Sequence, residues 1–410
     1  MLAAAGCGGQ APTSAKGHKK PAVHATAEKW TSVPVAEPPP PFSASDFFQL
    51  GNMTCESTTF CVLAGYVQPF SAAGSTGSDY SPLLWQWNGQ NWSFVPISAG
   101  AAAALLGSAC RSPSDCFAVG ATGSSGLIEH FDGQTWSAAT PAAGNAGVSL
   151  NGVACPGDSL CFAVGNREMS ASAADALIEQ WNGTKWTDAQ AALPPKALWS
   201  LFGSIYCDSA TNCWAMGQAY DAPTQSGYFF ADHFDGTSWS LVPLANPQKF
   251  NLGAETGMAE TACTQASSCI TVGTALAYTG GQIGADFAGG VAETWNGTAW
   301  APLSLPTPAS GLGSGYGPTG VSCVSASDCW VSVAPTGPVQ PTQYPMALLK
   351  WNGSALSAVT LPVHGALDAV ACLPNGFCLG FGEVAGTKPG SVVMVGERLS
   401  PVKGSGLRQK

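Results

Sequence analysis

Residues 110–136 read CRSPSDCFAVGATGSSGLIEHFDGQTW, and residues 155–186 read CPGDSLCFAVGNREMSASAADALIEQWNGTKW. Both stretches hold two cysteines five residues apart, then FAVG, then an alternating run that closes on an aromatic, Asn or Asp, Gly, two residues and Trp. Outward from these two copies the unit recurs. The pairs are Cys55 and Cys61, Cys110 and Cys116, Cys155 and Cys161, Cys207 and Cys213, Cys263 and Cys269, Cys323 and Cys329, and Cys372 and Cys378. Of 15 cysteines only Cys7 stands outside this pattern. The unit ends are WNGQNW at Trp92, FDGQTW at Trp136, WNGTKW at Trp186, FDGTSW at Trp239, WNGTAW at Trp300 and WNGSAL at Leu356. Unit 6 carries Val333 where the others carry the glycine of FAVG.

Asn-Gly or Asp-Gly between two alternating runs signals a tight hairpin, whose central residues are expected at positive φ. Each unit then contains four strands, broken by the cysteine turn and by the WNG turn. Repeats of this size and strand number predict an all-β, seven-bladed propeller of four-stranded blades. The seventh copy has its third strand, VVMVGERL, but no Trp strand after it, while an orphan EKWTSVPV with Trp30 precedes the first cysteine pair. Pairing the orphan into the last blade would close the ring and cover both exposed edges.

Composition agrees. Hydrophobic residues make up 45% of the 410-residue chain, charged residues 10%, and Gly and Pro supply 50 and 30 positions, which favours short strands between frequent turns. A net charge of -10 with 15 Lys and Arg argues against nucleic acid as a partner, because a run of phosphates needs a basic surface. Each C-x(5)-C pair suits a cross-strand disulfide, with a Cα separation of about 4.4 to 6.8 Å. A zinc site needs closer pairs that converge, so no metal or other cofactor is expected. Disulfides in every unit point to an oxidising compartment outside the cell or at its surface.

Residues 1–27 read as an anchor and tether: LAAAG before Cys7 is similar to the cleavage box of lipoproteins, which makes Cys7 a candidate for lipidation and the only expected membrane link. Residues 28–402 form the propeller and 403–410 a tail. The propeller region resembles the disulfide-bearing WDG-type repeat propellers of exported bacterial proteins and, more distantly, kelch and WD-repeat architectures. Most of those groups have no assigned activity, so the resemblance implies fold and not function.

Within a blade the cysteine turn and the WNG turn open on one face, and the variable connections open on the other. Tyr66, Tyr80, Tyr220, Tyr228, Tyr278, Tyr316 and Tyr344 lie in or beside those variable connections, where aromatic rings with polar tips suit recognition. The leading expectation is a monomeric surface protein that binds a glycan or a protein there. The alternative is a carbohydrate-active hydrolase or lyase using Asp79, Asp221, Glu255 or Asp286 around the central channel. Glu129, Glu179, Asp232, Glu293 and Glu397 recur in the same column of five of the seven units, two residues before the third strand closes, which predicts a structural role. His130 and His233 share a neighbouring column and read as solvent-facing. The arginine triad of sialidases has no counterpart among Arg111, Arg167, Arg398 and Arg408, and the recurring Trp residues read as packing between blades.

Overall fold

The computed structural model describes Glu28–Pro401 apart from residues 38–41, 43–45, 69–79, 98, 101, 124, 143–145, 171–172, 222–225, 246–249, 252–256, 280–281, 307–315, 336–344 and 386–391. The anchor region with Cys7 and the tail from 402 onward lie outside the described residues. Among the described residues all regular structure is strand. Unit 2 shows the plan: Ala103–Ser112, Asp115–Thr122, Ser125–Phe131 and Trp136–Ala139 pair antiparallel in chain order. Units 1, 2 and 5 form separate four-stranded sheets. Units 3 and 4 merge through a parallel bridge from Ala174 to Trp199, and units 6 and 7 merge because Leu356–Cys372 is shared between them. The result is a propeller-like all-β fold with repeated disulfides.

All seven expected disulfides are present, each joining a unit's first and second strands. Their Cα atoms stand 3.9 to 4.1 Å apart, closer than the sequence reading expects. The cause is register: Cys55 faces Cys61 and Cys207 faces Cys213 directly across the ladder. Further up the first strand, every unit has a register shift, as between Leu105 and Gly107, Leu150 and Gly152, and Leu367 and Ala369. A bulge of this kind bends the strand and re-aims its side chains. It also explains the glycine of FAVG: a Cβ on Gly120 would lie 1.8 Å from the Ala104 carbonyl oxygen, and one on Gly165 1.8 Å from that of Ser149.

The WNG turn differs from expectation in its chemistry. Trp87 faces Trp92, so four residues make the connection, and only the glycine takes positive φ, +95° at Gly89. The Asn or Asp instead accepts two backbone hydrogen bonds: Asp235 Oδ1 takes the N–H of Thr237 at 2.8 Å and of Ser238 at 2.9 Å. This Asx arrangement needs a side-chain oxygen, not a left-handed backbone. The same bonds hold the Asp132 and Asp235 carboxyls below the usual range.

Buried apolar residues gather into clusters that each draw on two consecutive units, and one cluster joins units 7 and 1 through Phe48, Trp85, Leu379 and Phe381. The aromatic after the second cysteine meets the closing Trp of the next unit edge to face, as Phe117 meets Trp186, Phe162 meets Trp239 and Trp214 meets Trp300. Trp330 of unit 6 makes the same contact with Trp30 at 5.3 Å. The orphan strand Glu28–Val33 thus fills the missing place in unit 7, with Trp30 opposite Leu399. The chain continues alongside unit 1, where the Ala36 N–H donates to the Trp92 carbonyl and the Trp92 N–H to that of Pro34.

Candidate functional site

The first strands contact one another in chain order, and the first strand of unit 7 contacts that of unit 1, Phe47–Ser57. Two chambers are lined by residues of these first strands. One, about 550 Å³, opens among the cysteine turns and is lined by the first cysteine of every pair. The other, about 300 Å³, lies at the level of the bulges, among Gln49, Leu50, Asn52, Asn151, Glu260 and Asp368.

The bulge sends polar side chains to the neighbouring unit. Asn52 accepts from the Ser108 N–H at 2.6 Å and donates to the Ser108 carbonyl at 3.1 Å. Glu260 accepts from the Val321 N–H at 2.9 Å. Asn151 donates to the Phe202 carbonyl at 2.7 Å, and Thr319 to that of Leu367 at 3.2 Å. Enclosure pushes the Glu260 carboxyl up to about 8, and pushes Asp368 up to about 8 with help from nearby Glu383, itself raised to about 7. At the wider mouth burial raises Glu56 to about 7. Among the described residues, neither chamber is lined by Lys, Arg or His. Among the described residues, no group of three or more His, Cys, Asp or Glu is placed to hold a metal ion.

The recurring carboxylates lie elsewhere. Glu129, Glu179, Asp232, Glu293 and Glu397 are buried on the third strands. Glu179 accepts from the Ala142 N–H at 3.0 Å, Asp232 from that of Ala192 at 2.8 Å and Glu293 from that of Ala245 at 2.9 Å. Each donor follows the closing Trp of the preceding unit, so these carboxylates tie unit to unit. Desolvation pushes Asp232 up to about 7 and raises Glu179 and Glu397. The adjacent His residues are not free surface groups: His130 stacks on Phe117 at 4.6 Å and meets Asp115, and His233 covers Trp214 and meets Asn212. Lys350 sits over Trp330 in the same column, so this column shields the aromatics that join units.

Of the tyrosines, Tyr66 and Tyr80 are brought together, rings edge to face at 5.1 Å and half-buried, on either side of residues 69–79. Tyr220, opposite Trp199, is buried with 6% exposure. Tyr228 packs against the cluster between units 3 and 4. The backbone places Tyr278 and Tyr316 at strand ends, their side chains outside the described residues, and Tyr344 lies wholly outside them. Asp79 and Glu255 also lie outside them, and Asp221 and Asp286 are placed by backbone register alone, opposite Ser226 and Ala277. Sequence reasoning missed the bulge residues. Their available signal was an acid three or four residues before Cys263 and Cys372, where most units carry Gly, Ser or Asn.

No protein family and no curated protein sequence matches the chain. Among solved structures, it is similar to YCF48 bound to D1 peptide, with 12% identity over 95% of this chain and 99% of that one and a TM-score of 0.49. It is also similar to the β-propeller domain of the Trilobed protease from Pyrococcus furiosus (7% identity, 85% and 93% covered, TM-score 0.47). A third is the α-L-arabinofuranosidase Arb93A from Fusarium graminearum (12%, 90% and 96%, 0.46).

Proposed function

We propose that the chain forms a closed ring of seven four-stranded blades and works as an exported binding protein that recognises a glycan or a protein through the face bearing its variable connections. Three observations support the ring: a chamber lined by the first cysteine of all seven pairs, apolar clusters between consecutive units including 7 and 1, and the pairing of Glu28–Val33 with the last strand. The oxidising environment that seven disulfides require supports export.

The observation that carries binding over hydrolysis is the disposition of the carboxyl groups. Acid and base work by a carboxyl pair needs environments that push the two apart, one protonated and one ionised. Here Glu260 and Asp368 are displaced in the same direction by the same enclosure, and of the recurring carboxylates Glu179, Asp232 and Glu293 are engaged with backbone N–H groups and Glu397 with the Ser32 hydroxyl. Tyr66 and Tyr80 supply a paired aromatic edge on the variable side.

Glycan and peptide arrays probed with the full chain and with a Tyr66→Ala, Tyr80→Ala variant test this reading. Binding lost in the variant supports recognition there. Binding unchanged in the variant moves the contact elsewhere, and release of new reducing ends from a bound glycan would replace binding with hydrolysis.

A further inference from the structure

Four residues before its first cysteine, a unit's side chain stands where it can reach the carbonyl five residues before the next unit's first cysteine. Asn151 does this to Phe202, and Thr319 does it to Leu367. Both use a hydrogen that is always present, on an amide or a hydroxyl. Between units 7 and 1 the equivalent residues are Asp368 and Leu50, and both line the 300 Å³ chamber. An ionised carboxylate has no hydrogen to give, and at this position it would set two half-buried acceptors side by side in the chamber wall. A protonated carboxyl has the one donor that the position calls for.

We propose that Asp368 carries a proton in the folded protein and donates it to the Leu50 carbonyl, so that the junction between units 7 and 1 is a clasp that deprotonation opens. This rests on the closed-ring reading. The other junctions differ in kind. Asn52 with Ser108, Asn151 with Phe202, Tyr206 with the Cys263 carbonyl and Thr319 with Leu367 use groups that keep their protons, and Gly107 packs directly on Gly152. At the junction of units 5 and 6, Glu260 accepts and needs no proton for its bond.

Among the described residues, the ionisable groups facing Asp368 are acids: Glu383 on the adjacent strand Cys378–Ala385, Glu260 across the chamber, and Glu56 and Asp208 towards the wider mouth. Among the described residues, no lining cation favours the ionised form. The raised affinity of Asp368 for its proton, to about 8, fits this setting. The clasp then holds through neutral pH and opens above it.

The decisive comparison is Asp368→Asn, which places a permanent donor as Asn151 does. At pH 9 its thermal midpoint should exceed that of the wild type by about 2 °C or more, and the gap should close by pH 5. A constant offset across that range would overturn the proposal. Infrared difference spectra at pH 6 should show a protonated-carboxyl stretch in the wild type that the variant lacks, and identical spectra would also overturn it. If the variant does not fold, hydrogen exchange in the wild type decides. After correction for intrinsic rates, protection of Phe47–Ser57 should fall between pH 7 and 9 while the Asn151–Phe202 junction keeps its protection; equal changes at both would refute the clasp. Lack of protection in Phe47–Ser57 already at pH 6 would refute the ring itself.

Discussion

The outer carboxylates and the inner ones do the same electrostatic thing for different reasons. Glu179, Asp232 and Glu293 sit on third strands, repeat from unit to unit, and each take an N–H from the preceding unit. Glu260 and Asp368 sit on first strands, appear in two units only, and face a chamber. Burial raises the proton affinity of Glu179 and Asp232 on the outer side and of Glu260 and Asp368 on the inner one. What repeats belongs to the scaffold, and what breaks the repeat marks where one junction or chamber wall has been made individual.

The sharpest way to break the comparison is to attack the outer belt's packing. Trp214→Ala removes a buried indole lying between Trp295 and Trp300 and should cost about 3 to 5 kcal/mol in chemical denaturation. A cost below about 1 kcal/mol would mean that the aromatic contacts do not hold units together. Next, Asp232→Ala strands the Ala192 N–H and should cost about 1 to 3 kcal/mol, whereas Asp232→Asn, which keeps an acceptor oxygen, should cost less. Equal costs would refute the hydrogen bond as the reason for this column.

On the inner side, Glu260→Gln keeps an acceptor for Val321 and removes the titration. A carboxyl whose folded proton affinity is raised gives stability that is complete below its unfolded pKa, near 4.5, and is lost as pH rises through its folded value, about 8. The wild type should therefore lose stability relative to Glu260→Gln between about pH 5 and pH 8, measured as the difference in denaturation midpoint. A difference that grows towards acid would show the wrong sign and exclude the enclosed carboxyl. The smallest effect belongs to the turns. Asp132 and Asp235 have lowered pKa values, so their contribution is present above the ordinary Asp range and fades as pH falls through the folded value. Asp235→Asn should be silent at pH 7, since Asn fills the same place in four other turns, and should flatten the profile only in strong acid.

Much of the scaffold was legible because repetition averages out local ambiguity. Every cysteine partner and the interunit role of the Trp column follow from the repeat, and the pairing of the Trp30 strand into the last unit follows from its likeness to the other Trp strands. The turn chemistry was misread, because Asn before Gly suggests a left-handed pair in a two-residue hairpin but here accepts N–H groups from a four-residue loop. The inner chamber was hidden for a different reason. A bulge leaves no periodic trace in sequence, yet it decides that Asn52, Asn151 and Glu260 reach the next unit and that Asp368 joins them in lining the inner chamber. The loop carboxylates Asp79, Asp221, Glu255 and Asp286 drew attention because connections are easy to see, while the acids that line the axis sit inside strands.

The strand that carries Trp30 also sets how the molecule answers to load. Glu28 faces Pro401 and Val33 faces Gly396, so the chain enters and leaves this pair at the same end. A force applied across those two points would not shear the strands along their length but would peel them apart one bond at a time. The seven disulfides bear none of that tension, since each is confined within its own unit. The mechanical threshold of the assembly is thus set at a non-covalent zipper of six residue pairs, with Trp30 wedged against Trp330 as its third tooth.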